Sequence, residues 1–142
     1  MLYITNSEKE TFDLGKSLSE KAKEGDIFLV NGELGVGKSV LIRGMANGLG
    51  IKEAMPSPTF TIVNEYIGNS KIYHFDLYRI VEEFELFEIG FEEYIYSNAI
   101  SFIEWPYKAG SLLPSMDKCI KIDIKIKDNN QREIKIEWKN GE

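Results

Sequence analysis

Ile27-Phe28-Leu29-Val30-Asn31-Gly32-Glu33-Leu34-Gly35-Val36-Gly37-Lys38-Ser39 is the stretch whose reading decides the fold. Four consecutive apolar residues suit a strand buried on both faces. They run into the pattern G-x-x-x-x-G-K-[ST], filled at every fixed position by Gly32, Gly37, Lys38 and Ser39. Beyond it Leu41, Ile42, Met45 and Leu49 recur at helical spacing, and Gly50 closes the segment. Strand, glycine-rich loop and helix form the context that this pattern requires. Phosphate oxygens need several donors converging on one point, and successive backbone N–H groups of a tight loop supply them. Glycines let that backbone approach without a Cβ clash, and the following helix adds its positive N-terminal end. The spacing predicts phosphate binding by Glu33, Leu34, Gly35, Val36, Gly37, Lys38, Ser39 and Val40. Lys38 would span the β- and γ-phosphates, and the Ser39 hydroxyl would ligate Mg²⁺.

Working outward, Ser7-Glu8-Lys9-Glu10 fits a capping box ahead of Leu14, Leu18 and Ala22 at helical spacing, with Gly25 ending the segment. After Pro56 and Pro58, residues 60–66 alternate as a strand; Gly68-Asn69-Ser70 turns them into a second strand over 71–77. The stretch from Glu82 to Glu93 is acidic and helical in character, and Ala99 to Ile103 is another buried strand. Near the C-terminus Ile120, Ile122, Ile124 and Ile126 share one face, with Lys121, Asp123, Lys125 and Lys127 on the other. Asp128-Asn129-Asn130-Gln131 turns the chain back, placing Ile134, Ile136 and Trp138 on a common face. The expected fold is α/β: a P-loop NTPase-like mixed sheet flanked by helices, with an antiparallel C-terminal hairpin.

The chain's 142 residues suit one domain, 1–142, and can bury a core; 43% hydrophobic and 28% charged content is ordinary for a globular protein. A net charge of −6 argues against a generic nucleic-acid binder, which needs a basic face. No signal-like N-terminus is present, and no apolar run approaches the roughly 20 residues of a bilayer span. One cysteine, Cys119, read as a buried structural thiol, allows no internal disulfide, so a cytoplasmic location is expected and no membrane association.

A phosphate-loop enzyme also needs an acid at the end of a neighbouring strand to hold Mg²⁺ or its water. Glu104 ends the run 100–103, and Asp76 ends Ile72-Tyr73-His74-Phe75. Both are candidates, with Glu104 favoured because the longer, more uniformly apolar run precedes it. His74, the one histidine, is read as structural and receives no catalytic step. The guanine-reading string N-K-x-D and the companion D-x-x-G are absent, so ATP is preferred over GTP.

Four strings in order are Gly32 to Ser39, Ser57-Pro58-Thr59-Phe60-Thr61, His74-Phe75-Asp76-Leu77-Tyr78-Arg79 and Ile103-Glu104-Trp105-Pro106. Together they resemble the TsaE family, which assists threonylcarbamoyladenosine modification of tRNA. The resemblance implies an ATPase that uses Mg²⁺ and works with TsaB and TsaD, meeting tRNA only through their complex. It implies Ser39 and Glu104 as metal ligands, Ser39 standing where the family usually has threonine. Lys38, Asp76 and Glu104 would form the catalytic set. Residues 57–61 and 74–79 would be switch-like segments, and Thr11 and Arg132 would contact base or ribose. Two other readings use the same loop: a small-molecule kinase, and a non-enzymatic nucleotide sensor. Only three arginines, Arg43, Arg79 and Arg132, count against the kinase.

Overall fold

Residues 27–30 alternate between two cores. Phe28 and Val30 pack with Leu41, Ile42 and Met45 on one face of a sheet, and Ile27 and Leu29 with Phe75, Phe91 and Ile103 on the other. That division is why the run is apolar at every position. The computed structural model describes residues 1–128 and 130–139; Asn129 of the expected turn, and Asn140, Gly141 and Glu142, lie outside the described residues. In chain order the elements are β1 (Leu2–Thr5), α1 (Glu8–Leu18), β2 (Ile27–Asn31), α2 (Lys38–Gly48), β3 (Val63–Ile67) and β4 (Lys71–Asp76). Then come α3 (Glu83–Glu88), α4 (Phe91–Ile95), β5 (Ile100–Glu104), β6 (Ile120–Asp128) and β7 (Gln131–Glu137).

The strands form one seven-stranded sheet in the order β1-β7-β6-β2-β5-β4-β3. The inner four, β6, β2, β5 and β4, run parallel, while β1, β7 and β3 pair antiparallel at the two sides. The mixed α/β fold is thus as the sequence pattern requires. The C-terminal ends of β2, β5 and β4 meet on one edge, the place where open α/β sheets bind ligands.

α1 and α2 cover one face of the sheet. Ser7 caps α1 by accepting from the Glu10 N–H at 3.1 Å, while the Glu10 carboxylate accepts from Asn6 N–H at 2.9 Å. The box therefore closes one residue earlier than its usual form. The two helices meet glycine to backbone: a Cβ on Gly44 would strike the Phe12 carbonyl, and one on Gly15 the Leu41 carbonyl.

Several sequence boundaries move. The strand expected over 60–66 begins only at Val63, because Thr61 and Ile62 N–H both turn back to the Pro58 carbonyl and Ile62 takes φ 71°. α1 stops at Leu18, followed by one 3₁₀ turn at Ser19–Lys21, well short of Gly25. The acidic stretch is two short helices, since Gly90 breaks it at φ 77°. Ile126, expected with its three predecessors in the core, is 53% exposed where the β6–β7 register shifts. β1 had no sequence signal; it completes the sheet by pairing with β7. Cys119 is buried, and that burial pushes its thiol pKa up, as suits an inert structural thiol. Among the described residues no helix is long and apolar enough to cross a membrane.

Candidate functional site

The glycine-rich loop leaves β2 and delivers the chain into α2 through Gly37, which takes φ 114° and gives the helix no side-chain cap. Gly35, at φ 76°, is likewise in a conformation that favours glycine. The first-turn N–H groups of α2 lack intrahelical partners, so an anion at this end would meet aligned donors and the positive end of the helix dipole. A substituent at Gly35 or Gly37 would project into open space.

Three buried charged side chains converge beside the loop: Lys38, Asp76 and Glu104. Asp76 and Glu104 are direct partners across the parallel β4–β5 pairing, and Val30, at the end of the apolar run, is the partner of Glu104 on β2. The register alone thus brings both acids to the mouth of the loop. Among the described residues each of the three charges is held by groups other than the other two. Lys38 Nζ donates to the Gly32 carbonyl and, at 3.4 Å, to that of Glu33, and it lies 3.8 Å above the Trp105 ring. Asp76 accepts from Thr59 Oγ1 at 2.9 Å, Ser57 Oγ at 3.4 Å and Tyr78 N–H at 3.0 Å. Glu104 Oε2 shares a hydrogen at 2.6 Å with His74 Nε2. Burial draws the Lys38 ammonium below the usual lysine range, and the fields of Glu104 and Asp76 offset part of that fall.

Two of the cavities that border the loop hold most of the sequence-derived residues. One, of about 280 Å³, is lined by Lys38, Ser39, Ser57, Thr59, Asp76 and Glu104 among others. The second, of about 460 Å³, lies on the far side of Gly35 to Gly37 and includes Thr11, Val40 and Arg132. Apart from Glu33, which lines a third cavity together with Trp105 and Tyr107, the sequence-derived residues are therefore distributed over two adjoining spaces, a charged one and a mixed one. Glu33 and Leu34 lie exposed at the loop tip, with Leu34 facing the charged cavity. The Thr11 hydroxyl is buried and shares a hydrogen at 2.7 Å with Thr5 Oγ1. Arg132 is closer to the loop than its place on the last hairpin suggests: its Nε donates to the Val36 carbonyl at 2.8 Å. Arg79 instead stacks its guanidinium 4.8 Å from the exposed Phe60 ring.

The donor set suits Mg²⁺ on its chemistry, since this hard cation takes oxygen ligands and commonly combines one or two carboxylates with substrate phosphates. Ser39 and Glu104 line the same cavity and offer a hydroxyl and a carboxylate. Two of the contacts that sequence reading missed lie at the charged residues themselves. The position of Lys38 above Trp105 and the His74–Glu104 bond join residues 67 and 30 positions apart, and no local pattern marks such pairs.

With this geometry, comparison with known proteins is decisive. The family model described as "Threonylcarbamoyl adenosine biosynthesis protein TsaE" matches residues 5–134. The chain belongs to the TsaE family. It is 32% identical over 136 residues to the tRNA threonylcarbamoyladenosine biosynthesis protein TsaE of Treponema pallidum, covering 96% of this chain and 99% of that one. The protein of the same name from Bacillus subtilis is 37% identical, covering 92% and 80% respectively. That from Rickettsia typhi is 38% identical, covering 98% and 96%. The crystal structure of Bacillus subtilis YdiB superposes with a TM-score of 0.79 at 32% identity, covering 94% of this chain and 82% of that one. The TsaE match takes in every charged residue of the site from Lys38 to Arg132.

Proposed function

We propose that this TsaE-family chain is a cytoplasmic, Mg²⁺-dependent ATPase that serves threonylcarbamoyladenosine modification of tRNA together with TsaB and TsaD. The observation that carries this reading is the set of buried charges, Lys38, Asp76 and Glu104, gathered beside the uncapped N-terminus of α2 and each hydrogen-bonded to groups other than the other two. Held in this way, the Lys38 ammonium remains available to phosphates and the Glu104 carboxylate to a cation, whereas an ion pair between the two would consume both.

In this reading the triphosphate lies along residues 33–40, with backbone N–H groups and the α2 N-terminus receiving its oxygens. Lys38 leaves the Gly32 and Glu33 carbonyls and places its ammonium on the β- and γ-phosphates. Ser39 and Glu104 would hold Mg²⁺, which supplies charge neutralisation across the same phosphate oxygens. Asp76 ties residues 57 and 59 to the end of β4, so the two switch-like segments move as one. Thr11 and Arg132 border the space left for ribose and base. The acidic chain meets tRNA through its partners.

Phosphoryl transfer depends on positioning and on positive charge around the γ-phosphate, and a missing arginine finger slows it by about 10³–10⁵. With Arg79 stacked on Phe60 and Arg132 on the loop backbone, slow turnover by the isolated chain is expected. The test is single-turnover hydrolysis of ATP by the chain alone and with saturating TsaB and TsaD, with no other phosphate acceptor present. Acceleration of at least about tenfold is expected, a small part of what one arginine can supply. Equal rates would overturn partner activation. No phosphate release in either condition would favour a kinase or a non-hydrolysing sensor.

A further inference from the structure

His74 lies on β4 two residues before Asp76, facing the same side of the sheet, with Phe102 as its direct partner on β5. Its diagonal neighbour is therefore Glu104, and the two side chains meet at 2.6 Å, being 3% and 5% exposed. The other ring nitrogen, Nδ1, is buried and has no hydrogen-bond partner among the described residues. An unsatisfied buried polar atom costs about 1–3 kcal/mol, so packing alone would favour an apolar residue, as Ile72 is two positions earlier on the same face. Among the described residues the imidazole makes a single hydrogen bond, and it is to Glu104.

Removing the bond would leave a buried carboxylate with one natural alternative. Lys38 is buried beside it, and the field of Glu104 already acts on its ammonium. From these contacts we infer that His74 is a positioning residue: its Nε2–H holds Glu104 Oε2, keeps the carboxylate from pairing with Lys38, and presents the remaining oxygen to the cation. The inference rests on the Mg²⁺–nucleotide reading above. Hydrogen bonds of this kind orient metal-binding groups in general, and losing one weakens metal affinity or activity by about 10–100-fold.

The experiment compares His74→Phe, which keeps the ring shape without a donor, with His74→Gln, whose amide nitrogen can reach the place of Nε2. ADP binding is measured by calorimetry across a Mg²⁺ titration. For His74→Phe the half-saturating Mg²⁺ concentration should rise about tenfold, with metal-free ADP affinity little changed. His74→Gln should recover most of the loss. An unchanged titration in His74→Phe, or equal damage in both variants, would overturn the role. Should His74→Phe fail to fold, the wild-type chain still decides the matter by nitrogen-15 NMR, because His74 is its one histidine. Hydrogen on Nε2, with ring signals that move when Mg²⁺ is added to the ADP complex, supports the inference. Hydrogen on Nδ1 alone, or signals indifferent to Mg²⁺, refutes it. Wild-type ADP binding without any Mg²⁺ dependence would instead bring down the metal reading itself.

Discussion

Asp76 and Glu104 stand opposite each other across β4 and β5, yet they hold different partners. Asp76 has both oxygens engaged, by two hydroxyls of residues 57 and 59 and by the Tyr78 N–H. Among the described residues Glu104 has only its Oε2 hydrogen-bonded, by His74. The contrast separates two acids that their sequence positions leave nearly equivalent. Glu104→Gln should raise the Mg²⁺ requirement for nucleotide binding by about tenfold or more. Asp76→Asn should disturb that titration less and instead loosen residues 57–61. Hydrogen bonds to a charged group contribute about 1.5–3 kcal/mol, so their loss should expose that segment to limited proteolysis. Mg²⁺ titrations and proteolysis of the two variants check this together. A larger metal effect in Asp76→Asn would reverse the assignment.

At the scale of elements, the seat of the loop depends on how closely α1 approaches α2. The helix that begins with Lys38 and Ser39 is backed along its length by α1, through Gly15, Gly44 and Gly48. Helix propensity alone would favour alanine at Gly44 by about 1 kcal/mol. A Cβ there meets the Phe12 backbone, which cannot swing aside as a side-chain end could, and overpacking of this kind costs about 1–3 kcal/mol. The steric term wins. Gly44→Ala should therefore lower the urea midpoint with an unchanged slope, and α2 should sit less firmly under the loop. A raised midpoint would show that the two helices part without penalty.

At the scale of the whole molecule, one surface combines acidic charge with exposed aromatic rings. Phe84 and Phe87 are 62% and 63% exposed and stack with centroids 6.2 Å apart, flanked by the exposed Glu82, Glu83 and Glu88. This surface is tied to the segment that follows Glu104 and Trp105, because Lys108 donates to the carbonyls of Tyr78 and Ile80 while Ser111 N–H donates to Glu83. Two of the glutamates are committed locally. Glu85 accepts from the N–H groups of Glu82 and Val81, which hold its carboxyl below the usual range, and Glu82 caps α3. Reversing those two would confound helix capping with docking. Glu88→Lys with Glu92→Lys avoids this and, if the proposed partners TsaB and TsaD dock here, should weaken their binding by about 1 kcal/mol per charge, roughly fivefold each. Binding measured at low and high salt should converge as screening grows. Equal affinity for the charge-reversed and parent chains at low salt would make the stretch an ordinary solvated face.

What the sequence by itself determined were features written in near neighbours along the chain. The apolar run 27–30, the glycine spacing that ends in Lys38 and Ser39, the stripe on α2 and the alternation of 120–124 and 134–138 are each read over one turn or a few strand residues. Burial periodicity and loop sterics act at that range, so fold class, loop and both acids were legible. The boundaries at Val63 and Gly90 were less so, because a turn hydrogen-bonded to Pro58 and a left-handed glycine override a helical or alternating pattern. β1 was illegible, since its strand character comes from its pairing with β7 across the length of the chain. The same holds for the partner of each charge. Which oxygen His74 engages, which hydroxyls occupy Asp76, how Arg132 reaches the Val36 carbonyl and why Lys38 rests over Trp105 depend on strand register and helix packing. Hydrogen bonds and ring contacts reach only a few ångströms, so only the folded chain decides which distant residues come within that range.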